Sequence, residues 1–172
     1  LNFIIVAQLK GQLSFDVVRS AVEASVKRYP VLAMSIDDHR PSGPRLVATD
    51  RPISIDVLGS ENWVEHAVQD LNRPFDCPHE PLIRVRWLRG PTQHAFMVTL
   101  HHSIADGRGG LDVMKSLLTQ MTAAIEGEAP PVDAMAPGRP LAERSLTHRG
   151  ETNHPVTARG ERFDDAQTSA SK

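Results

Sequence analysis

The sequence predicts one α/β domain of the two-layer α+β type, in which a mostly antiparallel or mixed sheet carries helices packed on one face. Two patterns predict this fold class. Segments with apolar residues at every second position, typical of strands, occur along the chain beside segments in which apolar residues recur every three or four positions, typical of helices. The chain also has 172 residues, 40% of them hydrophobic, which is enough to bury one ordinary core.

The N-terminal segment predicts a strand followed by a helix. Residues Phe3 to Leu9 are rich in Ile, Val and Phe and end at a Lys-Gly turn, which is typical of a strand. A helix is predicted to start at Phe15 or Asp16 and to end at Tyr29, because its apolar residues recur at helical spacing. Ser14 is the predicted N-cap, and the proline after the helix ends it.

The middle of the chain predicts short strands and a second helix. Residues Val31 to Asp37 predict a short strand, and the segment HRPSGP after it predicts a hairpin or loop. A half-exposed strand is predicted at residues 53–57, where Ile and Val alternate with Ser and Asp. Ser60 is expected to cap a helix that runs to about Leu71.

The segment LIRVRWLRG alternates apolar and basic residues and predicts a strand beside water. Ile83, Val85 and Trp87 are expected to face one side of the sheet. Arg84 and Arg86 are expected to face the solvent on the other side.

A strand, a short loop and a helix are predicted next. Residues His94 to His102 predict the hairpin partner of the preceding strand. From Leu111 to Ile125 the apolar residues recur at helical spacing. Two adjacent histidines, His101 and His102, therefore end a strand just before a loop and a helix.

The chain divides into an ordered lobe, residues 1–127, and a linker or disordered tail, residues 128–172. The tail has few large apolar residues, no periodicity and many Pro and Gly residues. The chain starts at Leu1 directly in an apolar strand without an initiator Met. We therefore expect it to be a piece of a longer protein.

Composition argues against several classes of function. The formal net charge of −2, with basic residues scattered along the chain, gives no electrostatic footprint for nucleic acid. No apolar run approaches the ~20 residues of a membrane span, and the N-terminus lacks the layout of a signal peptide. The single cysteine, Cys77, fits a reducing compartment, so we expect a cytoplasmic protein.

The adjacent histidines are the strongest candidates for chemistry. Consecutive residues on a strand point to opposite faces, so one histidine is expected to act and the other to support it. An imidazole with a pKa near 6.5 accepts a proton at neutral pH, and the following Asp106 and Gly107 supply a carboxylate and a permissive backbone. The alternative is that His101 and His102 are only polar residues with satisfied hydrogen bonds at a strand end.

A metal site is not expected here. Because His101 and His102 face opposite sides of the strand, their cluster with Asp106 has at most two good metal ligands. The other histidines have no motif around them. The glycines after Asp106 lack the order of a phosphate-binding loop.

The segment HHSIADG, residues 101–107, resembles the HHxxxDG signature of the chloramphenicol-acetyltransferase-like acyltransferases. This superfamily includes condensation domains of nonribosomal peptide synthesis, plant acyl-CoA acyltransferases and wax ester synthases. Two further segments, LKGQLSFDVVRSAVEASVKRYPVL and NRPFDCPHEPLIRVRWL, resemble the family in the same order. The resemblance spans about Asn2 to Glu126 and implies that the chain is one lobe of this fold.

The resemblance also implies roles for the signature residues. His102 would be the general base that takes a proton from the acceptor, and His101 would support it. Asp106 would hold the loop by pairing with an arginine. Gly107 would permit close approach of the backbone, and its N–H would help to stabilise the oxyanion.

The substrates implied by the resemblance are an acyl thioester donor, acyl-CoA or acyl-phosphopantetheine on a carrier protein, and a hydroxyl or amine acceptor. No tightly bound cofactor is expected. Two departures from the family pattern stand out. Ala33 lies where the family often has arginine, which leaves Arg28 as a candidate partner for Asp106.

The second departure is length, since the full fold has two lobes and this chain supplies one. We expect the missing C-terminal lobe or a second subunit to complete the site, and the chain alone to be inactive. The alternative is a truncated, non-catalytic remnant that acts as a binding or assembly module.

Overall fold

The computed structural model describes residues 1–39, 41, 43–60, 62–91 and 93–128. Its strands are β1 (Asn2–Lys10), β2 (Met34–Asp37), β3 (Arg45–Ala48), β4 (Ile55–Leu58), β5 (Ile83–Arg89) and β6 (Gln93–His101). Its helices are α1 (Phe15–Arg28), α2 (Trp63–Asn72) and α3 (Gly107–Glu126), with a short 3₁₀ helix at Pro30–Ala33. The predicted tail, residues 128–172, lies outside the described residues except for Glu128.

The main sheet is mixed and has the strand order β1-β6-β5-β4. Strands β1 and β5 both run antiparallel to β6, whereas β4 runs parallel to β5. The β5–β6 pair is the predicted hairpin. Strands β2 and β3 form a separate antiparallel pair around the predicted hairpin loop. The sheet and its packed helices confirm the predicted α/β class.

Helices cover both faces of the main sheet, because alternate strand residues point to opposite sides. On one face, Phe3, Trp87 and Phe96 pack with residues of α1 and α3. On the other face, Ile4 and Met97 pack with residues of α2. The prediction that the helices lie on one face therefore holds for α1 and α3, whereas α2 lies on the opposite face.

The prediction that the arginines of β5 face water is wrong. Their side chains do alternate with Ile83, Val85 and Trp87, but the face to which they point is covered. Arg84 is only 6% exposed. Charged side chains at such positions are tolerated when they are paired, and both arginines have carboxylate partners, Glu80 for Arg84 and Asp70 for Arg86.

The boundary of α1 agrees with its capping signals. The Ser14 hydroxyl oxygen accepts a hydrogen bond from the N–H of Val17, as predicted for the N-cap. The N-cap of α2 is Asn62 rather than Ser60, because the Asn62 side chain accepts from the N–H of Glu65. Ser60 instead accepts a hydrogen bond from the N–H of Asn62.

Three other boundaries differ from the prediction, and one strand was not predicted. Residues Pro30–Ala33 form a 3₁₀ helix, so β2 starts at Met34 rather than at Val31. Strand β4 starts at Ile55, and β3 was not predicted. Strand β6 ends at His101, which leaves His102 in the turn after it.

Helix α3 begins at Gly107, one turn before the predicted Leu111. Its end at Glu126 agrees with the prediction, and Gly127 closes it with the left-handed conformation that glycine adopts without strain. None of the helices in the described part of the chain has the length and apolar character that crossing a membrane requires.

Candidate active site

The turn between β6 and α3 carries the signature residues and is held from both sides. The N–H of His101 donates to the carbonyl of Leu82 at 3.0 Å, beside β5. The N–H of His102 donates to the carbonyl of Leu1 at 2.9 Å, beside β1. The N–H of Ile104 donates back to the carbonyl of His101 at 3.1 Å and closes the turn. The backbone of both histidines is therefore fixed at the centre of the sheet edge.

The side chain of His102 is exposed and rests against an aromatic ring. Its imidazole lies 4.7 Å from the ring of Phe3, between centroids, with the two planes tilted by 46°. Because the residue is exposed, a substrate outside this chain has access to the imidazole. The imidazole of His102 is therefore more accessible from outside the chain than that of His101, which is partly buried.

The side chain of His101 is engaged inside the protein. Its Nδ1 accepts a hydrogen bond from the N–H of Ser103 at 3.2 Å and lies 2.8 Å from the Ser103 hydroxyl oxygen. The centroid of its ring lies 5.8 Å from that of the Phe75 ring, and the two planes are nearly perpendicular, at 86°. Burial lowers the pKa of His101, and a positive charge on the adjacent His102 lowers it further. The neutral imidazole is therefore the favoured form of His101 at neutral pH.

Phe75 is itself held by Arg84. The guanidinium carbon of Arg84 lies 4.0 Å from the centroid of the Phe75 ring. The same guanidinium donates to the carbonyls of Arg73 and Pro74 at 2.9 and 2.7 Å, and it pairs with Glu80 at 2.7 Å. These contacts fix the segment before β5 against His101.

Asp106 caps helix α3. Its Oδ1 accepts a hydrogen bond from the N–H of Gly109 at 2.7 Å, and its carbonyl accepts from the N–H of Gly110 at 2.8 Å. A side-chain acceptor at this position satisfies one of the N–H groups that the first turn of a helix leaves unpaired. Arg28, the candidate partner of Asp106, places its Nε 3.2 Å from the hydroxyl of Tyr29.

Gly107 is the exposed first residue of α3. A Cβ built at Gly107 meets nothing within 4 Å, and the residue is not among those with positive φ. Packing within the described residues therefore does not require glycine at this position. The open space beside the backbone remains accessible to a bound molecule.

The structure thus brings His101, His102, Asp106 and Gly107 together at one end of the sheet. Sequence reasoning missed the two phenylalanines that contact the histidines. No local pattern identifies them, because Phe3 reaches His102 only through the pairing of β1 with β6, in which Asn2 lies opposite His101.

The described residues do not form a metal centre around these side chains. In the described part of the chain, no group of three or more His, Cys, Asp and Glu side chains is arranged to hold a metal ion. A cavity of about 570 Å³ lies between α1 and residues 51–55, and neither histidine lines it. At the candidate site, His102 and Gly107 are the exposed members of the group, and His101 and Asp106 are partly buried.

The chain is similar in sequence to one family of known proteins. Residues 2–137 match the family model described as the condensation domain. The chain is 30% identical over 128 residues to the nonribosomal peptide synthetase penN of Penicillium thymicola, an alignment that covers 72% of this chain and 5% of that protein. It is 32% identical over 101 residues to tyrocidine synthase 3 of Brevibacillus parabrevis, covering 58% of this chain and 2% of that protein.

Solved structures share the fold. The chain matches the X-domain from teicoplanin biosynthesis with a TM-score of 0.70 and 17% identity, over 89% of this chain and 35% of that one. It matches the starter condensation domain of rhizomide synthetase RzmA, in a variant crystallised with C8-CoA, with a TM-score of 0.67 and 21% identity, over 76% of this chain and 32% of that one. This likeness confirms the predicted chloramphenicol-acetyltransferase-like fold. The chain spans about a third of each of these structures and a small fraction of the curated relatives.

Proposed function

The chain belongs to the condensation-domain family, and from this premise we propose that it supplies the general base of an acyltransferase. The reaction moves an acyl group from a thioester to a hydroxyl or amine. His102 is the base, His101 and Asp106 are positioning residues, and Gly107 lies beside the reacting carbonyl.

The observation that carries this proposal is the different environment of the two histidines. The exposed His102 makes its backbone hydrogen bond to Leu1 and a ring contact to Phe3, which leaves its ring nitrogens accessible to an acceptor. His101 uses its Nδ1 for Ser103 and packs its ring on Phe75. Of the two imidazoles, His102 is therefore the one suited to proton transfer with a substrate.

His102 takes up one proton and gives it back in the course of the acyl transfer. A ring nitrogen of His102 takes the proton from the acceptor hydroxyl or amine while the acceptor lone pair attacks the thioester carbonyl carbon. The carbon–sulfur bond of the tetrahedral intermediate then breaks, and the departing thiolate takes the proton from the imidazolium. The products are an ester or amide and a free thiol, and His102 returns to its neutral form.

A neutral His101 assists this step electrostatically. When His102 carries the proton, a second positive charge on the adjacent residue would raise the energy of the imidazolium. The lowered pKa of His101 keeps that neighbour uncharged at neutral pH. His101 therefore supports the base without taking part in the proton transfer.

Asp106 and Gly107 organise the start of α3 beside the base. The bond from Asp106 to Gly109 fixes the first turn of the helix. The N–H of Gly107 belongs to the first-turn groups that a helix does not bond internally, and this end of the helix dipole favours negative charge. We assign to Gly107 a role in stabilising the oxyanion of the tetrahedral intermediate.

The donor is an acyl thioester of coenzyme A or of a carrier-protein phosphopantetheine, used as substrate rather than as a bound cofactor. The related RzmA domain was crystallised with C8-CoA, which supports this donor class. The single cysteine, Cys77, favours a reducing, cytoplasmic setting. Nucleic acid is not a proposed partner, because the formal net charge is −2.

A second lobe or subunit completes the site. The exposure of His102 supports this requirement, because a catalytic base is more effective when other protein groups enclose the reacting atoms. The other candidate function is a non-catalytic binding or assembly module. It is supported by the exposed residues of the β6–α3 turn, which are accessible to another protein.

The test is thiol release from an acyl thioester by the assembled protein, in which this chain is joined to a complementary lobe. His102→Ala is expected to lower turnover by about 10²- to 10⁴-fold, the usual effect of removing a positioned base. The matched control is His39→Ala, since His39 is an exposed histidine in a different segment.

Near-native turnover by His102→Ala, with the fold intact by circular dichroism, would remove His102 from the mechanism. If the assembled wild-type protein binds its partner lobe but releases no thiol from any acyl thioester offered, the assembly-module function is the correct one.

A further inference from the structure

Phe3 connects the first strand to the proposed base. It lies on β1, opposite Leu100 of β6, and its side chain packs into the core on the face covered by α1 and α3. The ring of Phe3 also lies 4.7 Å from the imidazole of His102, between centroids. One aromatic side chain therefore contacts both the core and the exposed base.

Gly110 determines how close α3 comes to this ring. Gly110 is buried in the first turn of α3. A Cβ at this position would lie 2.5 Å from Cε2 of Phe3, 3.0 Å from its Cζ and 2.8 Å from Cδ1 of Ile5. Carbon atoms in van der Waals contact are about 3.5–4.0 Å apart, so a larger residue at Gly110 requires a shift of the Phe3 and Ile5 side chains or of α3 itself.

We propose that Gly110 and Phe3 are positioning residues for His102: the missing side chain of Gly110 admits the Phe3 ring, and the ring holds the His102 imidazole in its reactive orientation. The inference rests on the proposed role of His102 as the base. It adds a packing relationship that extends beyond the signature segment, residues 101–107.

The physical reason is the freedom of an exposed side chain. The backbone of His102 is fixed by its bond to Leu1, but that bond leaves the two side-chain torsions free. Tilted aromatic pairs with centroids 4.5–7 Å apart attract each other, so the Phe3 ring favours one imidazole orientation. A displacement of about 1 Å in a catalytic group can lower the rate by roughly 100-fold.

The position of the His102 ring is measured in the 172-residue chain by its imidazole carbon–proton resonances, with labelled histidine. A His102→Gln variant identifies the resonance. Because the ring current of Phe3 shifts it, Phe3→Leu and Gly110→Ala are both expected to move it, whereas Gly59→Ala is expected to leave it in place. Gly59 is the matched control, since a Cβ there meets nothing within 4 Å and its φ is not positive.

A resonance that stays in place in Phe3→Leu would overturn the ring contact. One that moves in Phe3→Leu but not in Gly110→Ala would overturn the role of Gly110. If Gly110→Ala is too unstable for this measurement, the stability of the double variant Phe3→Leu with Gly110→Ala is compared with that of the two single variants. The loss of stability from Gly110→Ala must be smaller in the Phe3→Leu background, and an equal loss in both backgrounds would contradict the inference.

Turnover by the assembled protein gives the functional measurement. Gly110→Ala is expected to lower kcat by about 10- to 100-fold with little change in KM, because the base is misplaced and the substrate surface is kept. A higher KM with an unchanged kcat would overturn the positioning role. The resonance measurement does not depend on activity, so failure of the base assignment in His102→Ala is distinguished from failure of this packing relationship.

Discussion

The carboxylate of Asp70 on α2 lies 2.8 Å from the guanidinium of Arg86 on β5, on the face of the sheet that α2 covers, where 1% of the Asp70 side chain and 11% of the Arg86 side chain are exposed. The second oxygen of Asp70 accepts a hydrogen bond from the hydroxyl of Thr99 on β6 at 3.1 Å. One carboxylate therefore ties the helix to two neighbouring strands.

Removing Asp70 should destabilise the protein strongly. Asp70→Ala leaves the Arg86 guanidinium, whose side chain is 11% exposed, with the looser pairing to Asp56 at 3.6 Å. We therefore expect a loss of about 3 kcal/mol of unfolding free energy, the lower end of the cost of breaking a buried pair. The measurement is urea unfolding. Glu23→Ala is the control, because Glu23 is an exposed acidic residue in the middle of α1, where substitutions change stability by about 0.5 kcal/mol or less.

The double variant Asp70→Ala with Arg86→Met tests the cause. It removes both charges, so it should be more stable than Asp70→Ala alone. If the double variant is the less stable of the two, the penalty does not come from an unpaired buried charge.

Arg84→Lys should weaken the segment that supports His101. Lysine keeps the charge but lacks the planar fork with which Arg84 donates to two carbonyls and pairs with Glu80. The expected loss is roughly 2 kcal/mol in urea unfolding, the scale of hydrogen bonds from a charged group. Arg45→Lys, at an exposed strand position, is the control and should be neutral. If Arg84→Lys and Arg45→Lys are equally stable, the planar fork of Arg84 does not contribute to stability.

Asp106→Ala should lower the unfolding free energy by about 1 kcal/mol, because it removes the side-chain acceptor of the Gly109 N–H. Asp106→Ser keeps a capping oxygen and should recover most of this loss in thermal or urea unfolding. If serine is as unfavourable as alanine, capping is not the main contribution of Asp106 to stability.

His101 should make stability depend on pH. Its native pKa is lowered below the ordinary value of 6.5, mainly by burial, so the unfolded chain binds the proton more readily than the native one. The contribution of neutral His101 is therefore complete above about pH 6.5 and is lost as the pH falls from there toward the lowered native pKa.

The measurement is the urea midpoint of the wild-type chain and of His101→Gln between about pH 5 and pH 8. On acidification the wild type should lose stability relative to His101→Gln. Parallel curves for the two proteins would contradict the lowered pKa. A wild type that gains stability relative to the variant would show a pKa raised in the native state.

Local signals in the sequence determined several elements. Ser14 and the proline after Tyr29 bound α1 because capping and the loss of a backbone donor act within one turn. The β5–β6 hairpin, with its alternating residues, was also predicted. The motif resemblance placed His101, His102, Asp106 and Gly107 together, since they lie within seven residues of one turn.

Boundaries were less predictable where two capping residues compete. Ser60 and Asn62 are both residue types that favour the start of a helix. Asn62 is the N-cap because its side chain accepts a hydrogen bond from the Glu65 N–H. The assignment of the base to His102 came from the family resemblance. The structure adds the exposure of His102 and the internal hydrogen bonds of His101.

The sequence by itself determined the periodic elements and the chemical groups at the β6–α3 turn, because both depend on residues close together in the chain. The tertiary structure decided which faces are covered. Arg84 is buried and Arg86 is largely covered because α2 and the segment before β5 pack on their side of the sheet. His102 contacts Phe3 because β1 pairs with β6. These contacts join residues far apart in sequence, and their free energy comes from burial and pairing that no local pattern encodes.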